Sequence, residues 1–182
     1  MLAIIRDTNF RLRTLVDLPG LIHSGNKSQS DHDVKLIHEL VNEYISNNRT
    51  IILAVVSAKN DYANQIILEK ARKVDPKGSR TLGIITKPDF LREGSDNERE
   101  WIELANNQDI YFELGWHILK NRGDGELATS FAERNQNEST FFSQGQYRNL
   151  PRTMVGIESL RQRLSALLTN CLLYTSPSPR DS

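Results

Sequence analysis

The hydrophobic positions along this chain of 182 residues follow two different periods. Short runs rich in β-branched residues have the composition of strands, and the segments between them repeat hydrophobic residues every three or four positions, as amphipathic helices do. Strands that alternate with helices are typical of a parallel sheet covered by helices, so the pattern predicts the α/β class. The predicted strands are Leu2 to Arg6, Leu12 to Asp17, Thr50 to Ser57, Arg80 to Thr86 and Trp116 to Leu119.

The helical period is clearest between the second and third strands, where Asp33 is the predicted N-cap. The hydrophobic face of this helix consists of Val34, Ile37, Leu40, Val41, Tyr44 and Ile45. Three more helices are predicted at Tyr62 to Val74, Asn97 to Asn106 and Leu127 to Phe142. A last helix has the hydrophobic stripe Ile157, Leu160, Leu164, Leu167 and Leu168.

Composition and charge narrow the class of protein. The chain has 23 basic and 23 acidic residues, so its charge predicts no nucleic-acid partner. No apolar run approaches the ~20 residues that a membrane-spanning helix needs, and the N-terminus lacks the pattern of a signal peptide. The single cysteine, Cys171, excludes an internal disulfide framework and a multi-cysteine zinc site. We therefore expect one globular domain in the cytoplasm.

A short motif, Asp17-Leu18-Pro19-Gly20, directly follows the strand that begins at Leu12. An aspartate at a strand end can hold a magnesium ion, and a glycine three residues later lets a backbone N–H approach a terminal phosphate. The spacing of Asp17 and Gly20 thus suits a metal and phosphate site. The same four residues also suit an ordinary turn at a strand end, so this motif alone leaves both interpretations open.

A second motif, Thr86-Lys87-Pro88-Asp89, follows another predicted strand. The Asp89 carboxylate can accept two parallel hydrogen bonds from N1–H and the exocyclic amine of guanine, a donor pair that adenine lacks. The stem of Lys87 can lie along the purine face while its ammonium stays in water. The structural alternative is a turn fixed by Pro88. We favour guanine recognition, because this motif follows the Asp17 motif in order, with a strand and a helix between them.

A third loop, Asn121-Arg122-Gly123, follows the last predicted strand. Its backbone and the Asn121 amide could contact the base or the ribose, although the same residues form ordinary turns. The four histidines include no H-E-x-x-H pattern, and no metal site formed by histidines is predicted.

Longer stretches around these motifs are similar to the G domain of dynamin-type GTPases, most of all to its fungal branch. The resemblance covers roughly Leu12 to Leu168. The stretches are T-L-V-D-L-P-G-L from Thr14 to Leu21, I-L-A-V from Ile52 to Val55, V-D-P-K-G-S-R-T-L-G-I-I-T-K-P-D from Val74 to Asp89 and L-G-W-H-I-L-K-N-R from Leu114 to Arg122.

The resemblance implies a fold, ligands and a set of site residues. It implies a three-layer α/β fold like that of P-loop NTPases with a mostly parallel sheet, and GTP and Mg²⁺ as cofactors. For the intact protein it implies GTP hydrolysis, self-assembly through G domains, and membrane remodelling with peripheral membrane association. The residues that it implies are Asp17 and Gly20 for Mg²⁺ and the γ-phosphate, with Asp17 as the metal ligand, Thr86, Lys87 and Asp89 for guanine, and Asn121 and Arg122 for the last base-contacting loop.

One part of the family's pattern is missing. The sequence contains no G-x-x-x-x-G-K-[ST], and the segment from Gly20 to Ser28 that resembles it has one residue too many. We therefore expect an N-terminally truncated G domain that lacks the phosphate-loop strand and helix, in which Met1 is an internal methionine and which is not catalytic alone. The alternative is a degenerate, non-hydrolysing G domain that serves as an interaction or oligomerisation module. A small regulatory GTPase fits less well, because a long segment follows Asn121.

Two structural expectations follow, the first from this resemblance and the second from the end of the sequence. In this fold the missing strand lies between the strands that begin at Leu12 and Thr50, so these two strands should be either about 10 Å apart or abnormally paired, and we predict the gap. A continuous sheet in which the two strands pair directly and in a native-looking way would contradict the truncation. At the other end, the sequence from Cys171 to Asp181 resembles a translated sequencing adapter, although its composition alone would also fit a Ser/Pro-rich flexible tail. We therefore expect a partial G domain over residues 1–170 and a disordered tail over residues 171–182.

Overall fold

The structure is a computed structural model, and it describes residues 2–8, 12–18, 31–62, 65–126 and 128–175. The described residues form one sheet with the strand order β2-β1-β3-β4-β5. Its strands are β1 (Leu2–Thr8), β2 (Leu12–Leu18), β3 (Thr50–Ser57), β4 (Thr81–Thr86) and β5 (Trp116–Leu119). The predicted strands are therefore confirmed, with small changes at their ends.

Helices connect and cover the strands. Their bounds are α1 (Asp31–Ser46), α2 (Ile66–Val74), α3 (Asp96–Ala105), α4 (Phe131–Phe141) and α5 (Ile157–Thr175). The strands β3, β4 and β5 are parallel, as the alternation of strands and helices predicts. The α/β class is thus confirmed. None of the helices in the described part of the chain has the length and apolarity that a membrane crossing needs.

Two hydrophobic cores lie on opposite faces of the sheet because successive side chains of a strand point to opposite faces. On β3, Ile52, Ala54 and Val56 belong to one core, and Ile51 and Leu53 belong to the other. Residues of α1, α2 and α3 pack into the first core, and the predicted stripe of α5 packs into the second. The fold therefore has three layers with the sheet in the middle.

The sheet differs from the prediction between β2 and β3. These strands do not pair with each other, but the expected open gap is wrong, since β1 lies between them and is antiparallel to both. Ile4 faces Val16 on one side and Ile52 on the other. Unpaired backbone N–H and C=O groups at a strand edge are unfavourable, and β1 satisfies those of both neighbours.

Three predicted helix starts are corrected by the structure. Helix α4 begins at Phe131 instead of Leu127, because Ser130 accepts from Glu133 N–H while the Glu133 carboxylate accepts from Ser130 N–H. Helix α1 begins at Asp31, so Asp33 lies in its first turn and is not the N-cap. Helix α2 begins at Ile66 instead of Tyr62.

The V-D-P-x-G-x-R-T stretch, which contributed to the family resemblance, ties four elements together before β4. The Asp75 carboxylate accepts from the Ser79 and Arg80 N–H groups at 3.1 and 3.0 Å. The Arg80 guanidinium donates to carbonyls of Ile45 at 2.8 Å and Thr50 at 3.1 Å. This network lies at the amino end of β4, so its role in the described structure is to join α1, α2, β3 and β4.

At its other end, the chain does not change its structure at Asn170. Helix α5 continues through this predicted boundary to Thr175, and residues 176–182 lie outside the described residues. The adapter origin of the tail stays a prediction.

Candidate guanine-nucleotide site

The loops that carry two of the sequence motifs begin side by side. In the parallel pairing, Ser57 at the end of β3 faces Thr86 at the end of β4, and Thr86 faces Leu119 at the end of β5. The loops after these strands therefore share one edge of the sheet. Ligands of open α/β sheets bind at this carboxyl edge.

The Thr86-Lys87-Pro88-Asp89 loop is fixed by its neighbours. The Thr86 hydroxyl donates to the Val56 carbonyl at 3.0 Å, which fastens the loop to β3. Lys87 has a left-handed backbone with φ of 58°, and this conformation turns the chain sharply. Pro88 is buried at the start of a short 3-10 helix, and the Tyr147 hydroxyl donates to its carbonyl at 3.4 Å.

This turn leaves the Asp89 carboxylate open to solvent. Asp89 is exposed, and its carboxylate accepts no hydrogen bond from the residues that the structure describes. Lys87 is exposed as well. Burial, together with the negative charges of Glu98 and Asp89, raises the pKa of Tyr147, so its hydroxyl remains a donor to the loop. The loop thus presents a carboxylate and a lysine stem on a rigid turn.

The loop after β5 also reaches this edge, but its two predicted residues have different surroundings. Asn121 is exposed, and its Oδ1 accepts from the Arg134 guanidinium at 3.4 Å. The Arg122 guanidinium lies 4.9 Å from the centre of the Phe131 ring, a cation–π contact. Arg122 Nε is buried and has no hydrogen-bond partner among the described residues. Asn121 is therefore the better placed of the two for a ligand.

Acidic and basic side chains that the sequence analysis did not single out hold this loop in place. The Glu126 carboxylate accepts from the Lys120 ammonium at 3.1 Å and from Gly123 N–H at 3.0 Å. The Gly123 N–H and the Lys120 ammonium lower the pKa of the Glu126 carboxyl. No local pattern marks Glu126, because its partners are defined only by how the loop folds. The one available signal in this region is the S-x-x-E capping box at the start of α4.

The structure places Asp17 apart from these loops. Asp17 on β2 faces Ala3 on β1, Ala3 faces Leu53 on β3, and Leu53 faces Leu82 on β4. Asp17 is therefore level with the second residue of β4 rather than with Thr86, and two strands separate it from β4. Gly20 lies outside the described residues.

The exposed Asp17 carboxylate fits a magnesium site in part. Mg²⁺ is usually held by one or two protein ligands together with phosphates and water, so a single carboxylate is sufficient from this loop. Within the described ranges there is no group of three or more His, Cys, Asp or Glu side chains that could hold a metal by themselves. The role of Asp17 as a metal ligand stays a prediction.

Two family models that match this chain both describe dynamins. A family model described as "Dynamin family" matches residues 6–88, and a model of the "Dynamin central region" matches residues 100–179. Because β5 belongs to the second match and pairs with β4 in the first, the two matched regions contribute to one sheet.

Curated relatives are interferon-induced GTP-binding proteins. The chain is similar to Mx1 of Oncorhynchus mykiss, with 36% identity over 133 residues that cover 72% of this chain and 21% of Mx1. It is 37% identical to Mx of Epinephelus coioides over 131 residues, which are 71% of this chain and 21% of that protein. Mx of Ctenopharyngodon idella is 35% identical over 168 residues, 90% of this chain and 26% of the relative. The chain thus spans about a fifth to a quarter of the length of these relatives. The resemblance to the fungal branch of the family stays a prediction.

Proposed function

Because this chain belongs to the dynamin family, we propose that it is the guanine-recognising part of a dynamin-related large GTPase. The observation that carries the proposal is the exposed Asp89 carboxylate, which the rigid turn after β4 presents without any hydrogen-bond partner in the described structure. A carboxylate with both oxygens open matches the two parallel donors of guanine.

Each residue of this edge has a distinct task in the proposal. Asp89 accepts from N1–H and the exocyclic amine of guanine, and the Lys87 stem covers one face of the ring. Thr86 holds the turn against β3 through its bond to Val56, so little ordering is needed on binding. Asn121, and Arg122 if it leaves Phe131, would border the base from the neighbouring loop. Asp17 would hold Mg²⁺, which neutralises charge on the phosphates during hydrolysis.

The activities of the whole protein belong to the same proposal. The relatives are named as GTP-binding proteins, and this chain covers 21% of one and 26% of another. We propose for the whole protein GTP hydrolysis, self-assembly through its G domains, and membrane remodelling from the cytoplasm. The chain described by the structure contributes base recognition, so we expect the 182 residues alone to bind nucleotide weakly and not to hydrolyse it.

A binding titration of the purified chain tests base recognition. We expect NMR titrations to show that guanosine binds with a millimolar Kd, that adenosine binds more weakly, and that GTP binds within a few-fold of guanosine. The Asp89→Asn variant replaces one acceptor with a donor that faces a donor of guanine, so guanosine affinity should fall at least ~10-fold, or about 1.4 kcal/mol. The control is Asp96→Asn, which removes an exposed carboxylate on α3.

Two results would contradict the proposal. Equal affinities for guanosine and adenosine, or an Asp89→Asn variant that binds like the control, would refute base recognition by this turn. Micromolar binding of GTP by the 182-residue chain would instead show that it holds the phosphates as well.

A further inference from the structure

We propose that Glu138 is a positioning residue that joins the β5 loop, defined here as Lys120–Gly123, to the first turn of α5. The loop and the start of the helix would then respond to a ligand as one unit. The inference rests on the proposed function in so far as the β5 loop borders the guanine site.

Glu138 is a carboxylate in the interior of the protein. It lies on α4 and is only 3% exposed. Its Oε1 accepts from Lys120 N–H at 3.0 Å, and its Oε2 accepts from Ile157 N–H at 2.8 Å. Lys120 is the first residue after β5, and Ile157 is the first residue of α5. A single side chain therefore holds the backbone at the base of the candidate site and at the beginning of the helix.

Arg134, one turn earlier on α4, makes this link rigid. Its guanidinium donates to both oxygens of Glu138, at 3.1 and 3.4 Å, and the two side chains are 11% and 4% exposed. The same guanidinium donates to the Lys120 carbonyl at 3.2 Å and to Asn121 Oδ1 at 3.4 Å. Both backbone groups of Lys120 are thus held by one ion pair, which also positions the Asn121 side chain.

The start of α5 is tied to β5 as well. Gly156 N–H donates to the Ile118 carbonyl at 2.9 Å, and the His117 ring donates from Nε2 to the Gly156 carbonyl at 2.8 Å. Gly156 has φ of 84°, a conformation that favours glycine, and an added Cβ would lie 3.5 Å from Glu138 Oε2. The chain therefore turns into α5 directly beside the carboxylate.

Stability alone does not account for this arrangement. Burial of an ion pair costs desolvation that its attraction often fails to repay, so such pairs are weak evidence for stability. Glu138 fixes the relative position of two backbone segments, because each of its oxygens accepts one backbone N–H and one guanidinium N–H. A movement at either backbone segment must break a charged hydrogen bond in a buried place, which links the two segments.

Hydrogen exchange of the full 182-residue chain tests this link. The Glu138→Gln variant puts an NH₂ group against donors on one side of the side chain. We expect amide exchange at Lys120–Gly123 and in the first turn of α5 to rise at least ~10-fold, with little change at Thr86–Asp89, and guanosine affinity to fall several-fold. The control is Glu133→Gln on the same helix, whose carboxylate caps only Ser130 and is exposed.

Three results would overturn the link: exchange in Glu138→Gln no faster than in the control, a rise confined to one of the two segments, or a uniform rise across the core. If Glu138→Gln does not fold, the Ile157→Pro variant tests the link instead. It removes the Ile157 N–H that donates to Glu138 Oε2, at the first position of a helix, which tolerates proline. It should speed exchange in the β5 loop several-fold, and an unchanged loop would overturn the link. A wild-type chain that does not prefer guanosine would refute the proposed function, whereas the exchange result would still decide the link.

Discussion

Acidification should destabilise this protein through one buried histidine. His117 lies on β5 with a side chain that is 0% exposed, and its Nδ1 has no partner among the described residues. Burial lowers the pKa of His117 from 6.5 to about 4, and the positive charge of Arg163 acts in the same direction, although the bond to Gly156 opposes them. The folded state therefore resists a proton that the unfolded state accepts.

The size of the effect follows from these two pKa values. When the folded-state pKa of a histidine is depressed, its stabilising contribution is present above the unfolded pKa and is lost as pH falls toward the folded pKa. The window here is pH 6.5 to about 4. Between pH 7 and pH 5 the unfolded state becomes mostly protonated at this ring while the folded state does not, which amounts to a loss of about 2 kcal/mol in the free energy of unfolding.

Urea unfolding at pH 7 and pH 5 measures this loss. With a slope of about 2 kcal/mol per molar urea, the midpoint of the wild type should fall by about 1 M more than that of His117→Gln. Glutamine does not titrate and retains an N–H that can reach Gly156, so subtraction of the two proteins removes the contribution of other groups. Equal falls in both proteins, or a His117 ring that titrates near pH 6.5 by NMR, would refute the reasoning.

Two further substitutions test the packing that supports the site. Gly83→Ala should destabilise the fold by about 3 kcal/mol or more in urea unfolding, because the added Cβ would lie 2.2 Å from Trp116 Cε3; a loss below about 1 kcal/mol would contradict this packing. Arg80→Lys should cost about 2 to 4 kcal/mol, because lysine has one terminal nitrogen in place of the two guanidinium nitrogens that donate separately to the carbonyls of Thr50 and Ile45. A Lys variant with the wild-type midpoint would show that these bonds are dispensable.

Much of the fold could be predicted from local patterns. The apolar runs of β3 and β4 identify strands that are buried on both faces, and the stripe that begins at Ile157 identifies α5. This works because the hydrophobic residues of a buried strand or helix repeat with the period of that element. The position of β1 could not be predicted in this way. A strand's own residues do not specify its neighbours, and here β1 pairs with both β2 and β3.

Some residues of the candidate site could likewise be predicted from local motifs, and others could not. Asp89 could be proposed as the guanine-binding residue because base recognition needs a carboxylate at a fixed place after a strand, and the motif has that spacing. Asp17 could be identified by its motif but not located, because its distance from β4 depends on the strand between β2 and β3. Arg134 and Glu138 could not be predicted from the sequence because their partners lie on other segments of the chain, and Glu126 could not because its contact with Gly123 depends on how the loop folds.

The amino-acid sequence by itself therefore determined the class of fold and the order of its elements, and it supplied the prediction that Asp89 selects guanine. These features depend on local periodicity and on short motifs, which a single sequence contains. Only the tertiary structure decided that β1 lies between β2 and β3, that Arg122 packs on Phe131, and that Glu138 on a polar helix is buried over the β5 loop. The physical reason is that strand pairing and the burial of a charge depend on contacts between distant segments, which no local pattern specifies.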